Sequence, residues 1–183
     1  HQPQKILPES FAILHTTTLS GAGVAFKLAA ALLEEFGKSE SEQFFKNLEL
    51  ATLGTVADMV PLVGDNRVLV KNGLLTLGSS ARIGLKALYQ EAVIGKDIGT
   101  YEIGFMISPR LNAMGRMESA YDSLRLLLTR DKARAEKLAQ KLGQTNKQRQ
   151  EATQEALLHA RNEVEKKYLG GKLFVISSEK YEE

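Results

Sequence analysis

Residues 131–168 constrain the fold of this chain more than any other stretch. From Asp131, a residue type suited to capping a helix N-terminus, to Tyr168 there is no proline and one glycine. The segment is therefore predicted to be one helix of about 37 residues, spanning about 55 Å at 1.5 Å per residue. Leu138, Leu142, Ala152, Ala156, Ala160 and Val164 give it only a thin apolar stripe, and "QTNKQRQEATQE" in its middle is polar all round. A helix with that pattern bridges two bodies as a strut.

The flanking sequence is predicted to be α/β. "FAILH" reads as a short buried strand, and "LSGAGVAFKLAAALLEEFGKS" as a small-residue loop running into an apolar helix. "FFKNLELATLGTVADMV" reads as a helix end followed by a second buried strand. "NRVLVKNGLLTLGSSARIGLKALYQEA" gives two short helices parted by Gly-Ser-Ser. After the long helix, "LGGK" turns the chain into "LFVISS", a six-residue strand-like run. The expected fold is a mostly parallel sheet in residues 1–130, the connecting helix in 131–168, and in 169–183 the first strand of a following domain. A lone strand is not stable by itself, and the chain opens on His1 with structure expected within a few residues, so the sequence reads as a piece of something longer.

Composition excludes several function classes. With no cysteine among 183 residues, neither a disulfide framework nor a thiolate metal site can form, and a reducing cytoplasm is the default setting. No apolar run approaches the ~20 residues of a membrane span, so no membrane role is expected. The formal net charge is only +2, so a nucleic-acid site has to come from local clusters, and without tryptophan it cannot use indole stacking.

Three stretches carry chemistry. In "LELATLGTVADMVPLVGDNR", Asp58 interrupts an apolar run at the end of the predicted strand, where ligand sites of parallel α/β sheets assemble. A carboxylate there either caps the next turn or pairs with Arg67 or Arg82, or it ligates a hard cation. In "SGAGVAFKL", Ser20, Gly21 and Gly23 open a helix and let backbone N–H groups approach a phosphate, or they merely allow close helix packing. In "ISPRLNAMGRM", Arg110, Asn112 and Arg116 lie in what reads as a shaped loop. They supply donors for phosphate oxygens, or the arginines pair with Glu102, Glu118 or Asp122. His15 and His159 read as a strand-end and a helix-surface residue.

Together, SGAGVAFKL, GTVADMVPL and SPRLNAMGR, in this order and followed by a long polar helix, resemble the RecJ single-strand-specific exonucleases of the DHH phosphoesterase superfamily. The resemblance covers almost the whole chain. It implies a fragment made of the C-terminal part of a DHH-type catalytic domain, its connecting helix, and the start of the DHH-associated domain. It implies 5′→3′ hydrolysis of single-stranded DNA in repair and recombination, with two divalent cations, Mn2+ or Mg2+, and single-strand-binding protein or helicase partners. Asp58 matches a metal ligand, His1 matches the last histidine of the Asp-His-His motif, and Arg110, Asn112 and Arg116 match a motif lining the nucleic-acid cleft. "TTT" alone joins "FAILH" to "LSGAG", where the family has a longer loop introduced by Asn-Pro. The other aspartates of the metal site are not in this sequence, so the chain alone is expected to be inactive. Two other readings stand beside the nuclease: a DHH phosphoesterase acting on short oligonucleotides or small phosphorylated substrates, and a non-catalytic nucleic-acid-binding relative.

Overall fold

The computed structural model describes residues 9–38, 42–117, 119–167, 171–179 and 181, without the side chains of residues 42, 43, 114, 116, 117 and 167. The chain divides into two compact units, His1–Ala81 with Val93–Ser108, and Arg82–Ala92 with Pro109–Glu183.

The first unit contains α1 (Gly21–Glu35), α2 (Glu42–Phe45), α3 (Leu48–Ala57), α4 (Gly64–Leu77) and a π-helical segment, Glu102–Ile107. Its centre is α3, which packs against α1, α4 and the π segment. The strand expected within residues 48–60 is thus a helix. A short apolar run carries no period that separates a buried helix from a buried strand, and here the buried positions Glu49, Ala51, Thr52, Leu53 and Thr55 single out neither period. Thr52 can be fully buried because its hydroxyl donates to the carbonyl of Leu69 at 3.1 Å.

The parallel sheet is not found: among the described residues no segment forms a strand. Residues 12–15 are not assigned to a strand, and Phe11, Ile13 and Leu14 are exposed, so "FAILH" lacks the burial expected of a core strand. Residues 173–178 also form no strand. They nevertheless keep a two-residue alternation. Leu173 and Val175 are exposed, while Phe174 and Ile176 line a cleft with Ala160 and Val164.

The second unit holds α5 (Ile83–Glu91), most of α6 (Ser108–Met117), α7 (Tyr121–Leu128) and α8 (Lys132–Lys167). The long helix forms as the sequence indicates, over 36 residues, and Asp131 caps it by accepting from the Arg134 N–H at 2.8 Å. Its packed seam differs from the expected stripe. Ala135, Ala139, Leu142 and Asn146 are buried where α8 meets α5 and α7, and Leu138 is only half-buried. Small residues let the helix axes approach, and Thr145 and Asn146 are buried although they belong to the polar middle. Beyond Asn146 no described residue of α8 is buried, and Ala152, Ala156, Ala160 and Val164 are half-exposed.

"SPRLNAMGRM" is helical rather than a shaped loop. Pro109 lacks an N–H and its ring crowds the carbonyl four residues back, which an α-helix cannot absorb without distortion. The π-helical turn before Ser108 is the wider form that relieves the clash. No helix among the described residues is long and apolar enough to cross a membrane.

Candidate functional site

In the first unit two of the three sequence-selected stretches meet. Ser20 is the N-cap of α1: its Oγ accepts from the Gly23 N–H at 3.0 Å and shares a hydrogen bond with Thr55 Oγ1 at 3.1 Å. At Gly54 α3 comes close to α1, since a Cβ there would lie 2.4 Å from that of Ala22. The entrance of α1 is thereby fixed against α3 one turn before Asp58. Within the Ser-Gly-Ala-Gly entrance, Ser20 and Gly23 are buried and Gly21 is exposed. An anion at this helix end would meet the first-turn N–H groups beside Gly21, while the Ser20 hydroxyl serves the cap.

Asp58 is not the buried strand-end carboxylate that the apolar run suggests. It is exposed at the C-cap of α3, with φ −77° and ψ −4°, and its N–H donates to the Gly54 carbonyl at 3.0 Å. Met59 follows in the left-handed region at φ +52°, a position that ordinarily favours glycine and costs a side chain about 1 kcal/mol. The last carbonyls of a helix carry partial negative charge, so a carboxylate there is repelled unless a cation approaches. The last turn of α3 contains no basic residue. The loop after Asp58 is tied down by Asn66, whose Nδ2 donates to the Pro61 carbonyl at 3.0 Å and to the Thr18 carbonyl, just ahead of α1, at 2.7 Å.

One carboxylate is a chemically suitable oxygen ligand for a hard divalent cation, which takes about six such ligands. Among the described residues no group of three or more His, Asp or Glu could hold a metal. Any metal role for Asp58 would need further ligands besides the described residues. His1, the other sequence-selected ligand, lies outside the described residues.

The motif in the second unit is split between helix faces. Asn112 and residue 116 are four apart on α6 and share a face, and Asn112 is exposed. The side chain of Arg116 lies outside the described residues. Arg110 sits on a different face, where its Nε donates to Glu91 Oε2 at 2.5 Å, with both side chains largely buried. The acids named as alternative partners are used elsewhere. Glu102 accepts from the Gly99 N–H at 2.8 Å, and Asp122 accepts from Lys141 Nζ and Arg125 Nη1, each at 2.9 Å. The Lys141 hydrogen bond above all, and then that of Arg125, hold the Asp122 carboxyl below the ordinary carboxylate range. Glu118 lies outside the described residues. Sequence reasoning missed Glu91 and Thr55, which act across 19 and 35 residues of chain respectively and carry no local signal. His15 is exposed, and His159 Nδ1 makes a hydrogen bond of 2.7 Å with the Tyr181 hydroxyl.

No family model matches the chain. Individual proteins do. It is 41% identical over 162 residues to the single-stranded-DNA-specific exonuclease RecJ of Bacillus subtilis, covering 82% of this chain and 20% of that protein. It is 42% identical over 139 residues to the RecJ exonuclease of Thermus thermophilus, covering 76% of this chain and again 20% of the relative. In three dimensions it superimposes on the crystal structure of Thermus thermophilus RecJ in complex with Mn2+ with a TM-score of 0.75 and 36% identity, over 91% of this chain and 26% of that one. The likeness to RecJ thus holds in sequence and in fold, and the chain spans about a fifth of the length of the curated relatives.

Proposed function

We propose that this chain is the segment of a RecJ-type exonuclease that supplies one metal-binding carboxylate and a set of phosphate donors to a single-strand-specific hydrolase. The observation that carries the reading is Asp58, an exposed carboxylate at the negative end of a helix with no basic residue in its last turn. The chain as a whole is similar to relatives that are named for this activity. Asp58 would hold a divalent cation, Mn2+ or Mg2+, which when bound activates water and neutralises charge on the phosphoryl oxygens; two such ions suit phosphodiester hydrolysis. The chain's own contribution is positional. Ser20 and Thr55 fix the entrance of α1 against α3 and Asn66 holds the loop after Asp58, and the first-turn N–H groups near Gly21 would take a phosphate oxygen. Arg110, Asn112 and Arg116 donate to backbone phosphates, which positions a strand without reading its bases. Digestion from the 5′ end, a role in repair and recombination, a cytoplasmic setting, and partners such as a single-strand-binding protein or a helicase belong to the same proposal.

The test is hydrolysis of an end-labelled oligonucleotide by the full-length protein in Mn2+, offered as single strand and as blunt duplex. The single strand is expected to be degraded and the duplex spared. Equal rates on both would overturn the reading. The 183-residue chain alone is expected to show no turnover, because Asp58 leaves a cation far short of its ligands.

Arg110→Ala in the full-length protein is expected to weaken binding to all single-stranded sequences about equally. It should also flatten the log–log salt dependence by about 0.7, the value of one lost phosphate contact on a single strand. An unchanged slope with a lower melting temperature would make Arg110 purely structural.

A further inference from the structure

We infer that Glu91 is a positioning residue for Arg110, and that the single glycine of the long helix exists to seat its carboxylate. The inference rests on the reading of Arg110 as a phosphate donor and adds to it the device that orients the donor. Glu91 ends α5 and lies over Gly143 of α8. A Cβ at position 143 would stand 1.9 Å from Glu91 Oε1, 2.2 Å from its Cδ and 2.8 Å from Oε2, so any side chain there would displace the carboxylate. Ala139, Leu142 and Asn146, on the neighbouring turns of α8, are buried, so the contact is relieved by moving the Glu91 carboxylate rather than the helix. The opposite edge of the carboxylate takes Arg110 Nε at 2.5 Å.

Three helices therefore meet at this ion pair, with α5 providing the carboxylate, α8 its seat and α6 the guanidinium. Pairing through Nε, the nitrogen nearest the stem, fixes the plane of the planar fork and the direction of its terminal nitrogens. A long, flexible side chain is thereby ordered before a phosphate arrives, and the ordering cost is removed from binding. The segment also becomes intelligible as a sequence. A glycine within a helix costs about 1 kcal/mol relative to alanine, and α8 contains one, opposite Glu91.

The experiment is equilibrium binding of labelled oligo(dT) to the full-length protein across a salt series, for Arg110→Ala, Glu91→Gln, the double variant and Gly143→Ala, each with a melting curve. Simple electrostatics and positioning predict opposite signs for Glu91→Gln. Removing a negative charge strengthens attraction to a polyanion, whereas loss of orientation weakens it. Positioning predicts binding weakened about two- to tenfold by Glu91→Gln, no additional effect of that change in the Arg110→Ala background, and a similar weakening by Gly143→Ala with both charges present. Unchanged or tighter binding by folded Glu91→Gln would overturn the inference. So would an undiminished effect of that substitution when Arg110 is already alanine. If Arg110→Ala itself leaves the salt slope unchanged, the phosphate role fails instead, which separates failure of the premise from failure of the inference. Gly143→Ala keeps the test decisive if Glu91→Gln melts below the assay temperature. It leaves every charge in place, and intact binding by a folded Gly143→Ala protein would show that the seat has no such role.

Discussion

Asp58→Asn in the full-length protein is expected to lower Mn2+-dependent hydrolysis by at least about 100-fold, since even residues one step removed from a metal cost 10- to 100-fold. The same substitution is expected to leave the melting temperature unchanged or slightly raised. Asp58 is exposed, and the bond its residue contributes to the end of α3 is made by the backbone N–H to Gly54. Asparagine preserves that bond and removes a negative charge from the negative end of the helix, where such a charge is unfavourable. Activity and stability therefore move in different directions, which a purely structural carboxylate would not produce. Steady-state hydrolysis beside a thermal melt measures both, and full activity in the variant would sink the assignment.

Gly84→Ala is expected to have the largest effect on stability. Gly84 lies where α5 crosses α7, and a Cβ there would be 1.8 Å from the Leu126 carbonyl oxygen and 2.7 Å from its carbon. Both obstructing atoms are backbone, so no rotamer change relieves the contact and the helices must separate. Leu85, Leu88 and Leu126, fully buried beside this crossing, would lose packing as they do. The expected cost is about 3 kcal/mol, or a melting temperature lower by about 10 °C, read by circular dichroism. Gly21→Ala is the internal control. Nothing lies within 4 Å of a Cβ at that position, so the fold is expected to be unaffected.

The long helix was the most legible element, because residues 131–168 combine a capping aspartate, no proline and one glycine, and no other regular structure accommodates that pattern. The two helices parted by Gly-Ser-Ser and the helix entrance at Ser20–Gly23 were legible for the same local reason. The strands were not. "LELATLGTVA" and "FAILH" are apolar runs without a decisive period, and what each becomes depends on neighbours distant in sequence: α1 and α4 for the first, and for the second a ladder partner not found among the described residues. The environment of Asp58 was misread as a consequence, because a strand would have buried what a helix end exposes. That Arg110, Asn112 and Arg116 lie on a helix was not legible, since proline and glycine suggested a loop where a π-helical turn precedes Pro109. Glu91 was invisible because its partners, Arg110 and Gly143, come from two other helices.

The central claim, that Asp58 is a metal ligand at the exposed end of α3, is tested most directly by titrating Mn2+ into the full-length protein and its Asp58→Asn variant and counting bound ions by electron paramagnetic resonance. The account predicts that the variant loses at least one bound Mn2+, or binds it at least about tenfold more weakly, at an unchanged melting temperature. Equal Mn2+ stoichiometry and affinity in the two proteins would contradict it.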